Sequence, residues 1–223
     1  MVRCPAVPGM TRSLDYARDD RLGMTKKSLS LQIMTRFEDI KAFAFDVDGV
    51  FTDGLVLAMP DGDLLRQFNS KDCFGVRTAV DNGFPCAIIT GGVSQSLMHR
   101  AHSLGIGDEH LYMLSKDKAE DLLHFCKKIG LDPAQVAFVG DDIPDIPAMQ
   151  LAGLGVCPAD AVAEVREAAD WISPFNGGRG CIRDLMERVL KPQGKWLFDP
   201  KNPWKGSHPE AITQFALRTG KNV

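Results

Sequence analysis

The chain lacks any close cysteine pair. Its six cysteines, Cys4, Cys73, Cys86, Cys126, Cys157 and Cys181, are scattered with no C-x-x-C spacing. Most lie within apolar or helical runs, which suits small core fillers in a reducing compartment and argues against zinc or disulfide chemistry. Charge of one sign is also missing. There are 26 Lys and Arg against 29 Asp and Glu, a net charge of −3, so there is no electrostatic case for nucleic acid or an anionic membrane surface as partner. No stretch approaches the ~20 consecutive apolar residues of a membrane span. Residues 1–30 carry no apolar segment of the signal-peptide kind, and the expected location is cytoplasmic. His99, His102, His110, His124 and His208 share no spacing for a metal or a catalytic triad; His99 and His102 read as helix-surface residues.

The 223 residues are 44% apolar and 25% charged, which fits one soluble domain with a sizeable core plus tails. Residues 1–35 are polar and lack a clear period, so they read as a loose N-terminal extension. Met24 and Met34 are alternative starts, because the core pattern begins near Phe37. Residues 36–192 form the expected domain and 193–223 a tail. Short apolar runs at 42–47, 84–89, 136–139 and 154–156, with a weaker one at 110–113, read as buried strands. Amphipathic stretches at 72–82, 93–104, 116–129, 143–151, 161–168 and 178–190 read as helices. Non-alternating apolar strands separated by helices predict an α/β fold: a doubly wound, mostly parallel sheet with helices on both faces. Residues 54–69 break the alternation. An Asp61-Gly62 turn between two β-prone runs predicts a protruding β-hairpin with no large cap domain. Its Leu55, Leu57, Leu64 and Phe68 exceed what a free ribbon should expose, and a lone hairpin is marginal in water. Pairing with hairpins of other subunits is expected.

The first strand ends in two acids, Asp46 and Asp48. Repulsion between close carboxylates must be offset by a cation or a shared proton. In parallel sheets, ligands lie at the carboxyl ends of the strands. Those ends here carry Asp46-Val47-Asp48-Gly49, Thr90-Gly91 and Gly140-Asp141-Asp142-Ile143-Pro144-Asp145, with Lys118 near the start of a helix. Each has a job in attack on a phosphate monoester. Asp46 is the candidate nucleophile, forming an acyl phosphate. Asp48 is placed to protonate the departing alkoxide and then to deprotonate water. Magnesium prefers oxygen ligands; Asp46 and Asp141 can supply side chains and Asp48 a backbone carbonyl. Asp142 and Asp145 are candidates for support around the ion. Lys118, the Thr90 hydroxyl and the Gly91 amide are candidate donors to phosphoryl oxygens.

Residues 38–192 resemble the haloacid dehalogenase superfamily of aspartate-nucleophile phosphatases. The resemblance rests on Asp46-Val47-Asp48-Gly49-Val50 with Thr52 and Asp53, then Thr90-Gly91, Lys118, and Gly140-Asp141-Asp142 with Asp145. Within it, the short hairpin, Phe68-Asn69-Ser70-Lys71-Asp72, Asp117-Lys118 and Gly177-Gly178-Arg179-Gly180 are similar to the capless group. That group includes 3-deoxy-manno-octulosonate 8-phosphate phosphatases and sialic-acid-type 9-phosphate phosphatases. The resemblance implies a Mg2+-dependent phosphatase of surface-glycan precursor synthesis, such as that of lipopolysaccharide, acting on a phosphorylated 3-deoxy-2-keto sugar acid. It also implies a homotetramer whose hairpins form a shared barrel, with Arg179 facing a neighbour near the substrate. In the octulosonate enzymes an arginine commonly follows Thr-Gly. Here Gly92 takes that place and offers no side chain to a sugar carboxylate. Lys71, Arg100 and Arg179 are the candidates to supply that charge.

Other readings compete at single motifs. Asp141, Asp142 and Asp145 also suit a helix N-terminus. Lys118, with Lys116 and Lys127 on the same expected helix, also suits a solvated face. Thr90-Gly91-Gly92 also suits a strand-to-helix turn, and Gly177–Gly180 a flexible lead into the last helix. Trp196, Phe198 and Trp204 in the tail suit either cover for an apolar face or a plug for a neighbour's site. Among whole-chain rivals, a phospho-accepting receiver domain carries similar groups but in the opposite chain order, and a catalytically silent partner protein would not need every motif residue intact.

Overall fold

The computed structural model describes residues 36–60 and 62–198. The expected extension 1–35, Asp61 of the hairpin turn, Cys4, Trp204 and the tail beyond residue 198 lie outside the described residues. After a helical turn at 36–39, the elements in chain order are β1 (Ala42–Phe45), β2 (Leu57–Ala58), β3 (Leu64–Leu65), α1 (Ser70–Asp81), β4 (Cys86–Ile89), α2 (Gln95–Ser103), β5 (Leu111–Tyr112), α3 (Lys118–Ile129), β6 (Val136–Val139), α4 (Ile146–Leu151), β7 (Leu154–Cys157), α5 (Ala163–Ala168), β8 (Trp171–Ile172) and α6 (Cys181–Leu190).

Six of the strands form one sheet in the order β5-β4-β1-β6-β7-β8, every pair parallel. β1 lies between β4 and β6, with Phe45 level with Ile88 on one side and Val139 on the other. Its side chains alternate between two faces, as strand geometry requires. Phe43 and Phe45 point into a core shared with Val76 of α1, Leu97 of α2 and Ile182, Leu185 and Val189 of α6. Ala42 and Ala44 face Leu122 and Phe125 of α3, Met149 of α4 and Val165 of α5. Burial of each phenylalanine contributes roughly 1.5–3 kcal/mol. Phe51 sits edge-on to Phe45, with ring centroids 5.3 Å apart, and so ties the loop after β1 into this core.

β2 and β3 pair antiparallel as a separate hairpin. That hairpin is the only excursion between β1 and α1, and no larger cap is present among the described residues. Leu55, Val56 and Leu57 stand exposed on it.

Several expected boundaries move for local reasons. Ser94 caps α2 by accepting the Leu97 N–H, so that helix begins at 95 instead of 93. Asp117 caps α3 by accepting the N–H groups of Ala119 and Glu120. The helix therefore begins at 118, and Lys116, expected on the helix, lies before it. Gly180 at φ 115° cannot continue a helix, which sets the start of α6 at 181. The stretch 143–151 divides into a 3-10 turn at Ile143–Asp145 and then α4. β8 is a two-residue edge strand with Ile172 exposed, too short to register as an apolar run. The five described cysteines are all buried and free. The start of the tail folds back on its own chain: Trp196 and Phe198 pack edge-on against Phe74 of α1, and the Arg183 guanidinium lies over Trp196.

Candidate active site

The carboxyl ends of β1, β4 and β6, with the start of α3, surround a cavity of about 840 Å³. Its lining includes Asp46, Asp48, Thr90, Gly91, Gly92, Lys118, Asp141, Asp142 and Asp145. The fold thus gathers the acids of the first and last strand ends, the Thr-Gly pair and the lysine into one pocket.

Asp46 continues the β1 ladder, its N–H bonded to the Val139 carbonyl at 2.9 Å, so its side chain leaves from the rigid end of the central strand. Lys118 Nζ lies 3.0 Å from Asp46 Oδ1 and 2.6 Å from Asp145 Oδ1. Burial works to lower the Lys118 pKa, but the two carboxylates more than offset it and hold the ammonium charged. Asp145 Oδ2 accepts the N–H groups of Asp141 at 3.0 Å and Asp142 at 3.1 Å, which fixes the loop after β6. Asp142 bonds the Ile143 N–H and so shapes the same turn. One oxygen each from Asp46, Asp141 and Asp145 lie within 4.8 Å of one another.

This crowding shows in their acidity. Burial, then the charge of Asp145, pushes Asp46 up to about 6 against the pull of Lys118. Burial, then the charges of Asp46, Asp145 and Asp142, pushes Asp141 up to about 7. Asp141 Oδ1 is buried and accepts no hydrogen bond from the described residues. A buried carboxylate oxygen without a donor carries a desolvation cost, and a cation is what this cluster of acids is built to receive.

Backbone detail holds the first loop in place. Thr52 is fully buried; its hydroxyl oxygen accepts the N–H groups of Gly49 and Gly54 and bonds the Val47 carbonyl. Of the two readings of Gly177–Gly180, the flexible lead gives way to close packing: a Cβ on residue 177 would lie 1.8 Å from the Gly49 carbonyl oxygen, and the Gly178 N–H bonds the Val50 carbonyl. Thr90 is buried, and its Oγ1 accepts the Gly92 N–H at 3.2 Å. The strand-to-turn reading of Thr90-Gly91-Gly92 therefore describes the same atoms that line the pocket.

The three substrate-contact candidates lie outside the lining of this chain's pocket. Lys71 is exposed at the start of α1. Arg100 lies over the Phe68 ring, 5.8 Å from its centroid. Arg179 is exposed and pairs with Asp53 at 3.1 Å. The cation that meets Asp48 is one the motifs do not include. Arg66, just after β3, grips both oxygens of Asp48, Nε to Oδ1 at 2.7 Å and Nη2 to Oδ2 at 2.9 Å. Strand alternation turns it inward: Leu64, Arg66 and Phe68 are half-buried while Leu65 and Gln67 are exposed, an alternation the residue types Leu-Leu-Arg-Gln-Phe do not spell out.

Comparison with known proteins agrees with this geometry. Residues 69–153 match the family model described as haloacid dehalogenase-like hydrolase. The 3-deoxy-D-manno-octulosonate 8-phosphate phosphatase KdsC of Salmonella typhi is 37% identical over 167 residues, 75% of this chain and 88% of that protein. Among solved structures, the 3-deoxy-D-manno-octulosonate 8-phosphate phosphatase of Yersinia pestis superimposes with a TM-score of 0.70 at 35% identity, covering 74% of this chain and 88% of that one. The corresponding enzyme of Moraxella catarrhalis, solved with magnesium ion, phosphate ion and KDO, gives 0.70 at 33% identity over 74% of this chain and 94% of that one. The chain belongs to the haloacid dehalogenase-like hydrolases. It is a phosphoric monoester hydrolase, similar in sequence and fold to the capless octulosonate 8-phosphate phosphatases.

Proposed function

We propose that this chain is a magnesium-dependent phosphatase that releases inorganic phosphate from a phosphorylated 3-deoxy-2-keto sugar acid, in surface-glycan precursor synthesis, by way of an aspartyl phosphate on Asp46. The observation that carries the reading is Lys118 bridging Asp46 and Asp145 beside an Asp141 oxygen that accepts no hydrogen bond from the described residues. The named relatives support the substrate class.

Asp46 and Asp141 would hold the magnesium ion with the Asp48 backbone carbonyl, while Asp145 supports the loop through its backbone contacts. When bound, the ion neutralises phosphoryl charge and keeps the carboxylates ionised. In the first half-reaction an Asp46 carboxylate oxygen attacks phosphorus, the bond from phosphorus to the sugar oxygen breaks, and Asp48 gives its proton to the departing alkoxide. In the second, Asp48 takes a proton from the water that attacks the acyl phosphate, and the bond from phosphorus to Asp46 breaks. Lys118, the Thr90 hydroxyl and the Gly91 N–H donate to the phosphoryl oxygens as charge moves onto them.

The test is a phosphate-release screen with added Mg2+ across eight- and nine-carbon sugar-acid phosphates, hexose phosphates and nucleotides, alongside Asp46→Asn. Turnover is expected to be highest on a sugar-acid phosphate and absent in the variant, with the fold intact by circular dichroism. Persistent turnover in Asp46→Asn would remove the mechanism. A preference for hexose phosphates or nucleotides would remove the substrate class.

A further inference from the structure

We infer that Arg66 is a positioning residue for proton transfer: it fixes the carboxylate of Asp48 in the orientation that protonates the leaving oxygen. The inference rests on the phosphatase reading above and adds to it a residue outside the usual motifs. Three observations carry it.

The first is the fork. Arg66 meets Asp48 through two parallel N–H to oxygen bonds, at 2.7 and 2.9 Å, the arrangement that sets both distance and plane of a carboxylate. A carboxylate has about four lone-pair sites, so a two-bond clamp leaves room for a proton on the pocket side.

The second is how Arg66 itself is held. Its Nη1 donates to the Leu64 carbonyl at 3.0 Å, and its side chain is only 2% exposed, against 35% for Asp48. The guanidinium sits behind the acid and away from solvent, where it can aim Asp48 without meeting substrate. It does not line the pocket, and the phosphate already has Lys118.

The third is Gly92. A Cβ there would lie 2.8 Å from Arg66 Nη2 and 3.6 Å from Thr90 Oγ1. The missing side chain at residue 92 is the space the guanidinium occupies, so glycine at this position and arginine at 66 are one arrangement.

A purely structural clamp and a proton-positioning clamp differ in which substrates suffer when it is lost. A p-nitrophenolate leaves without a proton; a sugar alkoxide does not. The experiment measures kcat/KM, which reports the first half-reaction, for wild type, Arg66→Met and Arg66→Lys on three esters with Mg2+: p-nitrophenyl phosphate, a hexose 6-phosphate and a 3-deoxy-2-keto sugar-acid phosphate. Arg66→Met is expected to lower kcat/KM for both alkyl esters by roughly tenfold or more relative to the aryl ester, a fraction of the ~10²–10⁴ that a placed acid supplies. Arg66→Lys, which keeps the charge and loses the fork, should fall between and carries the test if the methionine variant does not fold. Equal losses on all three esters would make the pair merely structural and overturn the inference. Loss confined to the sugar acid would make Arg66 a carboxylate contact, and a gain on the alkyl esters would make the pair a latch; each overturns it too. Wild type inactive on all three esters would instead sink the phosphatase reading, and this inference with it.

Discussion

Residue 49 and Asp141 occupy adjoining space with no slack between them: a Cβ on Gly49 would lie 2.0 Å from Asp141 Oδ2. Residue 49 also has φ +83°, a conformation that costs an L side chain about 1–2 kcal/mol. Two strand ends far apart in sequence thus meet through a missing side chain, and the acid they position is the one whose other oxygen has no donor among the described residues.

Gly49→Ala is therefore expected to fold less stably and to lose activity out of proportion to that loss. Asp141 must swing out to admit the methyl, and a displacement of about 1 Å at a reacting site can cost on the order of 10²-fold in rate. Steady-state kinetics at saturating Mg2+, paired with a thermal melt, checks this. A variant with full kcat would show that Asp141 has freedom the packing does not suggest.

The raised carboxyls give a pH signature in the metal-free protein. Asp46 goes from 3.8 to about 6 and Asp141 from 3.8 to about 7. Both bind protons more tightly folded than unfolded, so their contribution to stability is fully present below about pH 4 and is lost as pH rises through about 7. In the presence of EDTA, the difference in melting temperature between wild type and Asp141→Asn should widen in favour of the variant across that window and level off above it. Mg2+ should stabilise the wild type at pH 7.5 by about 2.7 kcal/mol at a hundredfold excess over Kd, raising its melting temperature, and leave Asp141→Asn nearly unmoved. An Mg2+ shift of equal size in both proteins would place the ion elsewhere.

Much of this site was legible from residue order alone, because strand ends of a parallel sheet converge. The acids after β1 and β6 and the Thr-Gly pair after β4 each followed a buried apolar run, and such runs end at one edge of the sheet; Lys118 follows no such run and stood out only through the family resemblance. Arg66 was not legible in the same way. It belongs to a hairpin whose strands are two residues each, and its partner is set by where that ribbon folds over the pocket, which no local pattern encodes. Likewise Gly177 suited a flexible lead as well as a family motif, because its contact with Gly49 is a close approach visible only when both loops are in place. Trp196 beside Arg183 is a third case: residues 196 and 198 pack on this chain's own helical layer, and composition alone left that open.

Lys118→Met should separate binding from chemistry. Without the ammonium, Asp46 and Asp145 face each other unscreened, and the phosphoryl oxygens lose a charged donor. Removing one donor of this kind costs about 10²–10³ in kcat. The expected result is a drop of that size with the fold retained, and no rescue by Arg, whose planar fork cannot reach the two oxygens that a compact ammonium now touches at 3.0 and 2.6 Å. A kcat within a few-fold of wild type would show that Lys118 holds Asp46 and Asp145 together without acting on the phosphoryl group.

The hairpin gives the last prediction. Leu55 is 75% exposed and Leu57 63%, on a ribbon too short to be stable alone. Exposed apolar residues grouped in this way mark an interaction surface, and the occupant proposed here is the hairpin of further copies of this chain, as a homotetramer. Arg66 follows the second strand of that ribbon directly, so a hairpin shifted by loss of its contacts is expected to loosen the clamp on Asp48. Leu57→Asp places a charge in the contact without touching the pocket lining. It should lower the mass seen by light scattering and, in the smaller species, lower kcat/KM on the sugar-acid phosphate more than on p-nitrophenyl phosphate. Wild type diluted through its dissociation range should lose activity on the same ester in step with its mass. A monomer that keeps full efficiency on the sugar acid would show that one chain closes its own site, and the exposed leucines would then need another explanation.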